Sequence, residues 1–171
     1  EVLETVDGYT FDTTVYEVTV TVTDEKGIIT ATYEIKDADA LKFVNEYKAE
    51  PDSINLPVEK QVIGNTRPAE REFTFVLTAL DNAPMPEGSD NNQKTVTIKG
   101  NGRAQFGDIE YNVAGTYEYT VYEVLETVDG YTFDDTVYEV TVTVTDKEGI
   151  ITATYEIKDA DALKFVNEYK S

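Results

Sequence analysis

Residues 116–124 read Thr-Tyr-Glu-Tyr-Thr-Val-Tyr-Glu-Val, and this run decides the fold class. Its side chains alternate with period two, the spacing of a strand with one face turned to a core. Tyr117, Tyr119 and Val121 share one face and Glu118 and Thr120 share the other, so a strand follows directly. Working outward, similar Thr-, Val-, Tyr-, Phe- and Ile-rich runs lie near 58–63, 71–79, 94–99, 104–111, 136–146, 149–157 and 162–170. Turn residues separate them, among them Asn101-Gly102, Asp81-Asn82-Ala83-Pro84 and Asp146-Lys147-Glu148-Gly149. The sequence therefore predicts eight short strands packed as an all-β antiparallel sandwich. Its longest loop is expected between Asp81 and Asn92, and a turn or helical bulge is expected at Asp159-Ala160-Asp161.

Residues 1–48 recur at 123–170 with a constant offset, differing only at Thr13/Asp135, Glu25/Lys147 and Lys26/Glu148. Such self-similarity predicts a tandem repeat. The expected organisation is the C-terminal part of a preceding repeat at 1–48, a join at 49–55 and a complete repeat at 56–171. Repeats that follow one another without a flexible linker add length rather than chemistry, which suits a stalk.

Composition excludes several classes. The 171 residues carry 34 acidic and 14 basic side chains, a formal charge of −20, which repels phosphate backbones and anionic lipid heads. No nucleic acid partner and no membrane insertion are expected. Cysteine and histidine are both absent, which removes disulfides, thiolate nucleophiles, His-based triads and nearly all zinc sites. Asp159 and Asp161 lack the Gly and terminal Glu of a dedicated calcium loop. No metal and no cofactor are expected.

Three polar residues fall on apolar strand faces. Lys60 shares its face with Val58 and Val62, Glu123 continues the series Tyr117, Tyr119 and Val121, and Asn167 follows Leu163 and Phe165. An amine, a carboxyl group and a carboxamide buried together must satisfy one another. Burial drives the lysine toward the neutral amine and the glutamate toward the neutral acid. A neutral amine can attack the Asn167 side-chain carbonyl while Glu123 polarises the amide and passes protons to departing ammonia, leaving a Lys60–Asn167 isopeptide bond.

The ordered motifs PVEKQVIG, EFTFVLTA, GTYEYTVYEV, YTFDDTVYEV and FVNEY resemble the streptococcal-type pilin isopeptide linkage domain of Gram-positive surface proteins. The resemblance covers about residues 55–170. It implies an immunoglobulin-like sandwich, a first-strand Lys60 bonded to last-strand Asn167, and assistance by Glu123. In the shorter copy Glu1 and Asn45 match Glu123 and Asn167, but no matching lysine strand lies within residues 1–48, so Asn45 is expected to stay an unreacted, vestigial amide. The function implied is a structural stalk or shaft repeat of a cell-wall-anchored, extracellular adhesin or pilus. It acts on itself once and is not a turnover enzyme, and its partners are neighbouring repeats. The alternative is an adhesin module that recognises a host glycan or matrix protein through the 81–92 loop and nearby tyrosines.

Overall fold

The computed structural model describes residues 1–64 and 71–170. It divides into two compact units, Glu1–Lys48 and Ala49–Ser171. All regular elements among the described residues are strands.

The first unit holds two ribbons. Strand β1 (Tyr9–Thr10) pairs antiparallel with β4 (Glu46–Tyr47), and β2 (Val18–Glu25) pairs antiparallel with β3 (Ile28–Ile35). The β2–β3 turn is the two-residue Lys26-Gly27, both at positive φ, the geometry that matches the twist of a hairpin. Its apolar side chains stay open to solvent: Val20 is 61% exposed and Phe43 is 40% exposed.

The second unit is an immunoglobulin-like β-sandwich. One sheet has the order β10-β13-β5-β8, formed by Tyr131–Thr132, Leu163–Tyr169, Asp52–Gly64 and Gly102–Tyr111. The other has the order β12-β11-β9-β6-β7, formed by Ile150–Ile157, Val137–Lys147, Gly115–Glu123, Glu72–Ala79 and Gln93–Lys99. The core is the interdigitated inner faces, with Leu56 and Val58 from β5, Phe73, Phe75 and Leu77 from β6, Val121 from β9, Val142 from β11 and Phe165 from β13. Burying an apolar side chain of this size contributes about 1.5–3 kcal/mol, so these alternating faces dominate the stability of the unit. Two tyrosine hydroxyls reach into this interior and satisfy each other, Tyr111 and Tyr119 at 2.8 Å, with Tyr119 also donating to the Pro84 carbonyl at 2.7 Å.

Three details depart from the reading of the sequence. Residues 52–55, expected in a join, open β5 and pair with β8 from Asp52↔Tyr111 to Asn55↔Asp108. Ala49 is buried and Glu50 bridges Ile150, so 49–55 belongs to the sandwich; its mixed Asp, Ser and Asn composition concealed a strand whose apolar residues begin only at Ile54 and Leu56. Secondly, the sandwich is not wholly antiparallel. First strand β5 and last strand β13 run parallel, in register from Leu163↔Val58 to Tyr169↔Gly64. A parallel pair needs a long crossover, and here the whole intervening sandwich supplies it. Thirdly, the short strand β10 was unforeseen. It lies on β13 because Gly130, at φ +81, allows an approach in which a Cβ would stand 2.7 Å from the Tyr169 ring.

Candidate cross-linking site

The parallel pairing of β5 and β13 brings two inward positions side by side. Leu56, Val58, Lys60 and Val62 are the buried residues of one strand, and Leu163, Phe165 and Asn167 those of its neighbour. Glu123 ends β9 in the opposite sheet and faces them across the core. The three polar residues picked out from the sequence are thus brought together, with Lys60 1% exposed, Glu123 2% and Asn167 0%. They are the buried polar or charged residues of the described core.

Glu123 joins the other two. Lys60 Nζ donates to Oε2 at 2.7 Å, and Asn167 Nδ2 donates to Oε1 at 2.9 Å. One carboxyl group therefore faces both the nitrogen that would attack and the nitrogen that would leave. The Phe73 ring lies 4.8 Å from Nζ and the Phe75 ring 5.9 Å from it, while Phe75 packs 5.2 Å from Phe165. This apolar lining excludes water and sets the protonation. Burial lowers the Lys60 pKa, opposed by its contact with Glu123; burial likewise raises the Glu123 pKa, opposed by Lys60 and by the Asn167 hydrogen bond. Both shifts favour a neutral amine beside a neutral acid, the pair that amide attack requires.

The Asn167 carboxamide is held from its other side by the main chain. The backbone N–H of Asp134 donates to Asn167 Oδ1 at 2.7 Å. Since an N–H cannot accept, this contact fixes which end of the carboxamide is oxygen. The Asp134 carboxylate accepts from Thr136 N at 3.0 Å and from Val166 N at 2.7 Å, and Tyr138 donates to the Lys164 carbonyl at 2.6 Å, tying the loop and β11 to β13. Sequence reasoning did not foresee the Asp134 contact, although Asp134 and Tyr138 stand in the YTFDDTVYEV motif.

The first unit repeats the acceptor half. Asn45 Nδ2 donates to Glu1 Oε1 at 2.7 Å and Asp12 N donates to Asn45 Oδ1 at 2.9 Å, with Glu1 and Asn45 solvent-exposed and Asp12 half-buried. Glu1 and Asn45 thus meet as Glu123 and Asn167 do. Among the described residues, no group of His, Cys, Asp or Glu is arranged to hold a metal ion.

Sandwich topology with a buried amine, acid and carboxamide between its first and last strands defines the class as pilin-type isopeptide domains. The family model for FctA, the Spy0128-like isopeptide containing domain, matches residues 1–48 and 56–170, and the chain belongs to this family. Among solved structures, it is similar to the major pilin protein (T-13) from Streptococcus pyogenes, with 20% identity, a TM-score of 0.50, and coverage of 72% of this chain and 55% of the pilin chain. That likeness shows the shared fold, and the chain spans little more than half of the pilin's length. No curated protein sequence matches.

Proposed function

We propose that the second unit is a structural module of a Gram-positive surface pilus or stalk, locked by an isopeptide bond between Lys60 and Asn167 that forms once with the help of Glu123. The observation that carries this reading is the buried trio itself: Lys60 on the first strand, Asn167 on the last, and Glu123 within hydrogen-bond distance of both.

The chemistry follows from the contacts. The Lys60 lone pair attacks Asn167 Cγ, and the carbonyl π electrons move to Oδ1. Glu123 Oε2 receives the proton shed by the attacking nitrogen, and the carboxyl group returns a proton from its Oε1 side to Nδ2. Collapse of the tetrahedral intermediate re-forms the carbonyl and breaks the Cγ–Nδ2 bond. One amine and one carboxamide become one secondary amide and one ammonia, and no oxidant or cofactor takes part. The lysine can no longer carry charge, so the cost of burying it disappears. Extracellular display and association with neighbouring repeats belong to the same reading. An amide also resists thiols, which suits a chain without cysteine.

Intact mass spectrometry tests this. The purified chain is expected to weigh one ammonia less than its sequence, with the deficit lost in Lys60→Ala and Glu123→Ala, and tandem fragmentation is expected to join Lys60 to Asn167. A wild-type mass equal to the sequence mass would overturn the proposal.

A further inference from the structure

We infer that Asp134 prepares Asn167 for attack: its backbone N–H is the donor that holds the carbonyl oxygen as that oxygen takes up negative charge, and its carboxylate fixes the N–H in place. The inference rests on the Lys60–Asn167 reaction proposed above.

The geometry divides the work at Asn167 between two sides. Nδ2, the leaving nitrogen, faces Glu123 at 2.9 Å, whereas Oδ1 faces the Asp134 N–H at 2.7 Å. As Lys60 Nζ bonds to Cγ, the two π electrons settle on Oδ1, and the Asp134 N–H is the donor already aimed at that atom. A main-chain donor in a dry site costs no reorganisation when charge develops, which is why such donors contribute strongly to acyl transfer. When ammonia leaves, the electron pair returns to the Cγ–O bond, and the same N–H remains on the carbonyl oxygen of the product amide.

The carboxylate explains why this N–H is held still. Its two oxygens accept from the N–H groups of Thr136 and Val166. Val166 precedes the reacting residue, so one side chain ties the loop to β13 immediately beside Asn167. The first unit supplies an independent copy of the device. There Asp12 N donates to Asn45 Oδ1, while the Asp12 carboxylate accepts from Thr14 N at 2.8 Å and from Val44 N at 2.8 Å. Asn45, Thr14 and Val44 are exposed and have no copy of β5 within residues 1–48, yet the carboxamide takes the same orientation. In residues 1–48 the acceptor is therefore oriented without a lysine strand.

The test starts from chains isolated unreacted under denaturant and refolded by dilution, with ammonia loss followed by intact mass and folding by near-ultraviolet tyrosine dichroism. Replacing residue 134 with the α-hydroxy analogue of aspartate turns one amide into an ester, which removes the N–H and keeps the side chain. The rate of ammonia loss in the folded chain is expected to fall about 100-fold or more, the effect of removing one oxyanion donor. Asp134→Ala keeps the N–H but frees the loop, and its rate is expected to fall about 10-fold, with Asp134→Asn recovering part of it. A purely structural role would slow folding and leave the rate of the folded chain unchanged. An ester chain that folds and reacts within about twofold of the unmodified chain would overturn the inference while leaving the Lys60–Asn167 bond intact. If the ester chain does not fold, Asp134→Ala decides in the same way, with an unchanged rate in the folded protein refuting the role. An unmodified chain that never loses ammonia would remove the reaction, and this inference with it.

Discussion

Replacing Lys60 by Met isolates what the proposed cross-link contributes. The methionine is unbranched and of similar length, and it enters a site lined by Phe73 and Phe75, so packing changes little. Glu123 loses the amine but is already pushed toward its neutral form by burial, and it keeps Asn167 as a partner. The main loss is then the closed loop. A bond between residues 60 and 167 closes roughly 107 residues, for which the chain-entropy relation gives about 4.8 kcal/mol at 25 °C. Ala49–Ser171 is a unit of about 123 residues, with an unfolding entropy of about 260 cal/mol/K near its midpoint. Dividing one by the other predicts a fall in Tm of about 19 °C. Calorimetry on wild type, Lys60→Met and Glu123→Gln, each first weighed for ammonia loss, measures it. The two variants fail to form the bond for different reasons, and Glu123→Gln, which keeps a buried amine without its acid, is expected to melt no higher than Lys60→Met. If Lys60→Met lacks the bond and still melts within about 5 °C of wild type, the loop argument is wrong.

Pulling a single molecule from residues 49 and 170 should leave the segment between 60 and 167 unextended in wild type, whereas Lys60→Met should release about 380 Å more contour length; equal extensions would refute a covalent load path. The rate of bond formation on refolding should pass through a maximum with pH and fall on both sides, in acid as the amine gains a proton and in alkali as the acid loses one; a rate that climbs steadily toward the ordinary lysine range would show that Glu123 is not holding the proton. In unbonded Asn167→Ala, the raised Glu123 value contributes stability that is lost as pH rises through it. The lowered Lys60 value contributes stability that is regained as pH rises toward that of free lysine, so urea midpoints should stay level where the two opposed ranges overlap. Asn45 should remain a carboxamide in the monomer. In the register of β13 on β5, Tyr47 would have to reach the level of Gly64, about 40 Å along the strand from Asp52, while residues 48–51 span at most about 18 Å. A second ammonia lost from monomeric protein, with Asn45 in the product peptide, would contradict this.

Much of this was legible because a sandwich strand writes its burial into alternate residues. Lys60, Glu123 and Asn167 each stand in a run whose apolar neighbours declare the inward face, and each is buried. The start of β5 was not legible: Asp52, Ser53 and Asn55 make a polar edge whose strand conformation is set by pairing with β8 and by the Asp52 carboxylate accepting from Ala153 N at 2.8 Å. The parallel sense of β5 and β13 was hidden too, because alternation specifies faces but not direction. The Asp134 N–H is a main-chain group, and nothing in side-chain chemistry announces where a backbone donor will point. Its sole trace was the aspartate two residues before Thr136, a residue type that bonds its own following backbone.

The two copies also bear on the order of events. Glu1, Asp12 and Asn45 show the acid, the N–H donor and the carboxamide gathered within one 48-residue stretch. In the second unit the same stretch lies against β5, and the one added ingredient is the amine. Contacts that span 33 to 44 residues therefore assemble the electrophile and its helpers, whereas the nucleophile lies more than 100 residues from the carboxamide in sequence. Pairing of the last strand with the first is the most non-local step in the sandwich and, on loop-closure grounds, among the last to form. Only then, in the reaction proposed above, would Lys60 leave water, give up its proton to Glu123 and meet Asn167. The covalent step would thus be conditional on completed folding: a chain with a misregistered β13 offers an exposed, protonated lysine that cannot attack, and a chain in register converts its least local contact into a bond that no longer depends on the rest.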